Sequence, residues 1–213
     1  MNKDIDISNW FKIFLNTVIK QQQIKEYGVL PWVMHLMIFY GFSSLFILTA
    51  FHSILTWGFS PSGSVVHFFK DGFGAILFAI WGDIGGLILL GGIIIALVRR
   101  YILKPDELHT ISDDAVVIWL LFAVTVTGYG CEMVRLLARP ESIDAGYSFV
   151  AYLLFPLIKW VHPGEIMVTL AFYFHGILSM ALIAYIPFSK LKHMFTAPLN
   201  VAFVSSGSRY TKI

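Results

Sequence analysis

The sequence predicts an all-α integral membrane protein, a four-transmembrane-helix bundle with additional interfacial helices. Three observations carry that expectation. Of 213 residues, 57% are hydrophobic and only 13% charged, with a mean hydropathy of +0.75, whereas soluble domains carry about 25% charged residues. Four stretches have the length of about 20 mostly apolar residues that a membrane helix needs: about 30–57, 73–98, 115–137 and 166–190. The chain is also strongly aromatic, and Trp32, Trp57, Trp81, Trp119 and Trp160 lie near or inside the apolar runs, as interfacial anchors do.

Residues 8–25 precede the first span. They place Trp10, Phe11, Phe14, Leu15, Val18 and Ile19 at helical spacing among Lys and Gln, which suits a helix lying in the interface plane and is too polar to cross. Residues 147–161 are apolar but short, with Pro156, Lys159 and His162 in or beside them, and read as a second interfacial segment. Residues 194–213 are expected to form a cytoplasmic tail. Lys12, Lys20 and Lys25 before the first span, Arg99, Arg100 and Lys104 after the second, and Lys190, Lys192, Arg209 and Lys212 after the last share one side if there are four spans. Basic flanks favour the cytoplasm, so both termini are expected there, in the cytoplasmic (inner) membrane. The start of the chain shows no cleavable-signal pattern, and the first span is expected to direct insertion.

Cys131 is the only cysteine, which excludes a cysteine-ligated iron-sulfur cluster, a c-type haem attachment and an internal disulfide within this chain. The glycines of GDIGGLILLGG, 82–92, fall inside a membrane helix, where small residues permit close helix packing. Nucleic acid is not an expected partner.

The histidines carry the functional signal: His35, His52, His67, His109, His162, His175 and His193. His35 and His52 are separated by about 26 Å of helical rise on the first span, and His175 and His193 by about 27 Å on the last. In a four-span bundle these helices are antiparallel, so His35 would face His193 near the cytoplasm and His52 would face His175 near the outer surface. Imidazole suits iron, and two helices can sandwich a porphyrin. At about 100° per residue, His175 and His193 share a face, but His35 and His52 stand roughly 100° apart. Spacing alone therefore leaves open whether two haems bind or one, with the other pair structural. His109 and His162 are read as loop residues without a role.

PWVMHLMIFYGFSSLFILTAFH (31–52), LLGGIIIALVRRYILKP (89–105), TGYGCEMVRLLA (127–138) and FHGILSMALIAYIPFSKLKHMFTAPLN (174–200) resemble the di-haem cytochrome b membrane subunits related to the gamma subunit of respiratory nitrate reductase. The similarity is strongest to the branch of the heterodisulfide reductase and Dsr complex membrane subunits. It covers most of residues 21–202 and implies a membrane cytochrome b with two b-type haems, so that 1–213 is read as one membrane cytochrome b domain. It implies electron exchange between a membrane quinone of the menaquinone type, or methanophenazine, and an iron-sulfur subunit of the heterodisulfide-reductase-like type in a hetero-oligomeric complex.

By that resemblance His35, His175 and His193 fall on family haem ligands. His52 departs from the pattern, because the nitrate reductase subunit carries its second first-helix ligand about two turns earlier, where this chain has Leu45. His67 stands as an alternative outer ligand. Arg135, Arg99 and Arg100 are candidates to pair with haem propionates. Arg135 also suits an i,i+3 ion pair with Glu132, and the other two suit the ordinary positive-inside role.

A quinone site needs proton donors or acceptors, and the outer-end candidates are His67, Lys70, Asp71 and Glu132, with Asp83 deeper in the apolar run. An intramembrane carboxylate is costly and functional by default; the other reading of Asp83 is a hydrogen bond near a helix start. The alternative to the whole assignment is a haem-free membrane anchor or proton-relay subunit of a respiratory complex.

Overall fold

A computed structural model describes residues 7–105, 112–158 and 160–205. His109, Lys159, Arg209 and Lys212 lie outside the described residues. The chain opens with Ile7–Phe14 (α1), a π-turn over Leu15–Ile19 and the short helix Gln22–Lys25 (α2). Val29–Gly58 (α3) follows, then Ser64–Asp71 (α4) and Phe73–Leu97 (α5), which continues as a π-turn to Leu103. Ser112–Ala138 (α6), Phe149–Ile158 (α7), Glu165–Tyr185 (α8) and His193–Ser205 (α9) complete the described chain. Among the described residues there is no strand. The protein is an all-α membrane protein, in which α3, α5, α6 and α8 are long and apolar enough to cross a bilayer.

The spans start and stop where the sequence provides a physical reason. Gly28 takes φ +114° immediately before α3, a region open to glycine. After α8, Pro187 ends regular hydrogen bonding, since it lacks an N–H and its ring crowds the carbonyl one turn back. Ser189 is then extended, and its hydroxyl accepts from the Leu191 N–H. The chain turns through Lys190–Lys192 and starts α9 at His193. The expected tail is thus helical over 194–205, and it packs against α1.

In the bundle α3 packs on α5, α6 packs on α8, and α5 against α6 joins the two pairs. The α3/α5 seam uses the glycine run as the sequence suggests. A Cβ on Gly41 would lie 2.5 Å from the Leu89 backbone nitrogen, and one on Gly92 would lie 2.9 Å from that of Ile38. The backbones approach because no side chain separates them, the means by which helices associate where lipid removes the hydrophobic drive. Phe42, Leu89, Ile93, Val117, Leu121, Leu182, Ile186 and Leu191 form the buried core across all four spans. Much of the outer surface of α8 is apolar and exposed, including Ile166, Leu170, Phe172 and Ile177, as a bilayer-facing helix requires.

We call the end of the bundle where α3 begins and α8 ends proximal, and the opposite end distal. The proximal end carries Lys20, Lys25, Arg99, Arg100, Lys104, Lys190 and Lys192.

Candidate functional site

The segment before α3 folds back along it. Trp32 Nε1 donates to the Lys20 carbonyl at 2.8 Å, Tyr40 Oη donates to the Ile19 carbonyl at 2.7 Å, and the Lys25 ammonium sits 5.1 Å from the Trp32 ring centre. Between these anchors Gln21 adopts φ +48°, a left-handed conformation that costs a non-glycine residue roughly 1–2 kcal/mol. That turn buries the Gln21 side chain and brings its Oε1 to 2.5 Å from His35 Nδ1. A strained residue held by its surroundings points to function.

His193, the first residue of α9, lies opposite. Its ring centre is 5.6 Å from that of His35, with the planes inclined by 35°, and its Nδ1 donates to the Lys190 carbonyl. Both Nδ1 atoms face oxygens that only accept, so each carries the proton and each Nε2 keeps its lone pair. Metal-binding histidines are oriented by this kind of second hydrogen bond. Two imidazoles across one metal, with bonds of about 2 Å, have ring centres about 6 Å apart. Phe39, Met194, Ala197 and Pro198 wall a neighbouring cavity of about 160 Å³. No group of three or more His, Cys, Asp or Glu side chains that could hold a metal ion occurs among the described residues. A bare ion would lack ligands here, whereas a haem supplies its own ring nitrogens, and the pair fits a haem.

The distal histidines do not meet in this way. His175 on α8 donates from Nδ1 to Thr127 Oγ1 at 3.1 Å, since Thr127 gives its own proton to the Ala123 carbonyl. Its ring lies against Gly128, where a Cβ would come within 3.2 Å of Cε1. It lines a cavity of about 260 Å³ whose α3 wall is Phe42, Leu45, Phe46 and Thr49. His52 is not on that wall; it is exposed and packs against Phe78 of α5 at 6.0 Å between ring centres, within electrostatic reach of Lys70. His67 is on α4, exposed, with Nδ1 3.0 Å from Asp71 Oδ2. His162 is exposed beside the Trp160 carbonyl.

The carboxylates separate into distinct roles. Asp83 is fully buried in α5, and its Oδ2 accepts from the Val150 N–H at 2.9 Å, so it caps the start of α7, the hydrogen-bonding reading. Its Oδ1 is buried without a partner. Tyr129 Oη donates to the Asp83 carbonyl at 2.9 Å. Glu132 lines the 260 Å³ cavity and accepts from Ser148 Oγ at 2.7 Å. Arg135 is only 3.9 Å from Glu132 but 2.6 Å from Asp144, so its main partner is a loop residue beyond the i,i+3 pattern.

At the proximal end Arg100 is buried. Its Nη2 reaches Asp114 Oδ2 at 3.4 Å while Nη1 has no partner. Asp114 also pairs with Lys190 at 3.0 Å. Arg99 is half-buried and makes no ion pair among the described residues. A buried arginine with a free donor fits an anionic group.

The distal ion pair yields a pH prediction. Burial would raise the Asp144 carboxyl, but the Arg135 hydrogen bond and charge outweigh it and hold the group below the usual carboxylate range. A depressed carboxyl contributes stability that is present above its unfolded value, about 3.9, and is lost as pH falls through the folded value. Asp144→Asn is expected to remove that acid dependence and to destabilise by about 1–2 kcal/mol at neutral pH, between the exposed and buried limits for ion pairs. Detergent-solubilised protein melted across acid pH checks both.

The fold and the proximal pair define a class: a multi-pass helical membrane protein with an interhelical histidine pair. The chain belongs to the nitrate reductase gamma subunit family, whose match covers residues 60–206. It is similar to the EtfAB:quinone oxidoreductase of Syntrophomonas wolfei, 27% identical over 80% of this chain and 24% of that protein. It is also similar to a subunit of the dihydromethanophenazine:CoB–CoM heterodisulfide reductase of Methanosarcina barkeri, 31% identical over 88% of this chain and 64% of that one. The corresponding subunit of Methanosarcina thermophila is 29% identical over the same shares. The chain thus spans less than two thirds of the length of these relatives. No solved structure matches it.

Gln21 is the residue that the sequence did not mark. It sits in a polar run, QQQ, and only the turn at φ +48° gives it a role.

Proposed function

We propose that this chain is the membrane cytochrome b subunit of a quinone-linked redox complex. It passes electrons between a menaquinone-type pool, or methanophenazine, and an iron-sulfur partner subunit. The observation that carries this reading is the His35–His193 pair, with both Nδ1 protons already given to fixed acceptors. A b-type haem, when bound, supplies a one-electron carrier at that place. His35 and His193 would hold its iron, and the unpartnered Nη1 of Arg100 suits a propionate at the same end of the bundle. The relatives' names support a quinone or methanophenazine on one side and a hetero-oligomeric complex on the other.

The basic proximal end favours the cytoplasm, which supports a reading with both termini in the cytoplasm and the partner against Lys190, Lys192 and α9. The second haem implied by the resemblance would draw on His175 with His52 or His67. Because these side chains stand against Thr127, Phe78 and Asp71 respectively, the reading rests on the proximal haem alone.

A pyridine haemochrome assay and a visible spectrum of the purified chain test it. The expected result is at least one haem b per chain that a quinol reduces. A folded chain without haem overturns the proposal and leaves the haem-free anchor or proton-relay subunit. Gln21→Ala is expected to weaken haem retention about 10- to 100-fold, the usual cost of losing a ligand's outer hydrogen bond, measured as haem transfer to an apo-acceptor protein.

A further inference from the structure

The proximal cavity of about 160 Å³ beside His35 and His193 is enclosed mostly by elements that do not cross the membrane. Of its lining residues, only His35 and Phe39 belong to a span. Val18, Gln21 and Ile24 close it from the segment before α3, and Met194 and Ala197 close it from α9. Pockets for cofactor-sized ligands run to about 300 Å³ or more, so these walls have to part before a porphyrin can pass between them. The two walls also meet beyond the cavity, where α1 packs on α9.

The segment before α3 is fastened lightly. Of residues 11–27 only Val18 and Gln21 are buried, and regions with few buried apolar contacts open at low cost. The bonds that tie it to α3 are few: Tyr40 Oη to the Ile19 carbonyl and Trp32 Nε1 to the Lys20 carbonyl, both exposed, with Lys25 over the Trp32 ring. Gly28, at φ +114°, joins the segment to α3. A Cβ there would meet only ring carbons of Pro31, at 3.6 and 3.9 Å, so the joint is uncrowded. Single residues at the ends of elements that absorb a change in φ and ψ act as hinges. Gln21 fastens the segment to His35 in a left-handed conformation that favours release. Its strain and its hydrogen bond oppose each other, so breaking the bond also relieves the backbone, and a small difference holds the segment closed. The spans beneath are fixed separately, by the glycine seam and the buried core.

We infer that residues 15–27 form a strap over the proximal histidine pair, which swings on Gly28 to open the cavity to the aqueous phase and closes again with Gln21 on His35 and α1 on α9. The inference rests on the haem reading above and adds the route by which the group enters and leaves. Opening withdraws a wall of the cavity and the acceptor of His35 Nδ1 together; closing restores both. The strap therefore governs how fast a haem is taken up and lost, whereas the ligand bonds govern how tightly it is held.

The test separates rate from affinity in the full chain, held in lipid nanodiscs. Trp32→Phe/Tyr40→Phe removes two hydrogen bonds of the strap and leaves His35, Gln21 and His193 unaltered. One such bond is worth about two- to tenfold in an equilibrium, so the double variant is expected to open about tenfold more often. Haem uptake by chain prepared without haem, and haem loss to an apo-acceptor protein, are both expected to accelerate about tenfold, with affinity within threefold of wild type. Hydrogen–deuterium exchange of the amides of 15–27 is expected to accelerate by a similar factor, with those of α3 and α5 unchanged.

Wild-type rates of uptake and loss in a double variant whose strap exchanges faster overturn the strap as the route. Faster loss with unchanged uptake overturns it as well, because that pattern belongs to groups acting on the bound state alone. Unchanged exchange over 15–27 overturns the part given to Trp32 and Tyr40. Each of these failures, with haem bound by the wild type, leaves the haem reading standing, whereas a folded wild-type chain that takes up no haem overturns both. If the double variant loses helical dichroism, Tyr40→Phe alone takes its place, with about threefold expected in both rates.

Discussion

His193→Ala is expected to purify with less than about a tenth of the wild-type haem, and His35→Ala to do the same, while His52→Ala and His67→Ala keep the haem held at the proximal end. The effect is large because the clamp has two members and no spare: the described residues offer no third histidine, cysteine or carboxylate at this site. Each ring is also oriented from behind, His35 by Gln21 and His193 by the Lys190 carbonyl. In the proposed reading alanine therefore removes both an iron ligand and a fixed geometry. The measurement is haem b per chain by haemochrome assay, with circular dichroism to show that the helices persist. Full haem retention in both proximal variants would move the iron elsewhere and remove the main support for the electron-transfer reading. Parallel counts on His52→Ala and His175→Ala read the distal end: a wild-type stoichiometry near two that falls to one in both would restore the second clamp.

The spans were legible in the sequence because lipid imposes one strong rule, a run of about 20 apolar residues, and α3, α5, α6 and α8 each satisfy it. The glycines of 82–92 were legible as packing residues for a similar reason, since a bilayer gives small residues a definite use. His35 and His193 meet at the end where antiparallel spans bring them, but not through one continuous last helix as the spacing assumed: α8 ends at Tyr185, and the turns over Ile186–Phe188 and Lys190–Lys192 carry His193 round to the start of α9. The separation of His52 from His175 was foreshadowed by the 100° offset between His35 and His52: His35 turns toward α9, while His52 turns toward Phe78 of α5.

What sequence could not show depended on loops. Arg135 pairs with Asp144 rather than mainly with its helix neighbour Glu132, because the turn after α6 returns Asp144 to it. Asp83 meets Val150 across 67 positions of sequence, and Gln21 reaches His35 through one left-handed residue. Hydropathy and periodicity are blind to such contacts.

Gly41→Ala is expected to be among the most destabilising single-methyl additions available to this protein, costing about 3 kcal/mol, the upper range for overpacking. The added Cβ would lie 2.5 Å from Leu89 N and 2.7 Å from its Cα. These are backbone atoms, so no rotamer change relieves the clash, and α3 must move away from α5 along the whole seam. Gly85 and Gly92 face Ser44, Leu45 and Ile38 across the same seam, and their contacts would loosen with it. His35 rides on α3, so the separation also shifts one half of the clamp relative to His193. Gly130→Ala is the matched control. It is in α6 with nothing within 4 Å of the new Cβ, and helix propensity alone would stabilise it by up to about 1 kcal/mol. Denaturation of the two variants in mixed micelles, followed by far-ultraviolet dichroism and by haem absorbance, compares them directly. Equal midpoints would mean that α3 and α5 do not depend on backbone contact at Gly41. A large loss in Gly41→Ala alone would tie the proposed haem clamp to the glycine seam, because a helix that is to carry a metal ligand has to be held by something other than the metal.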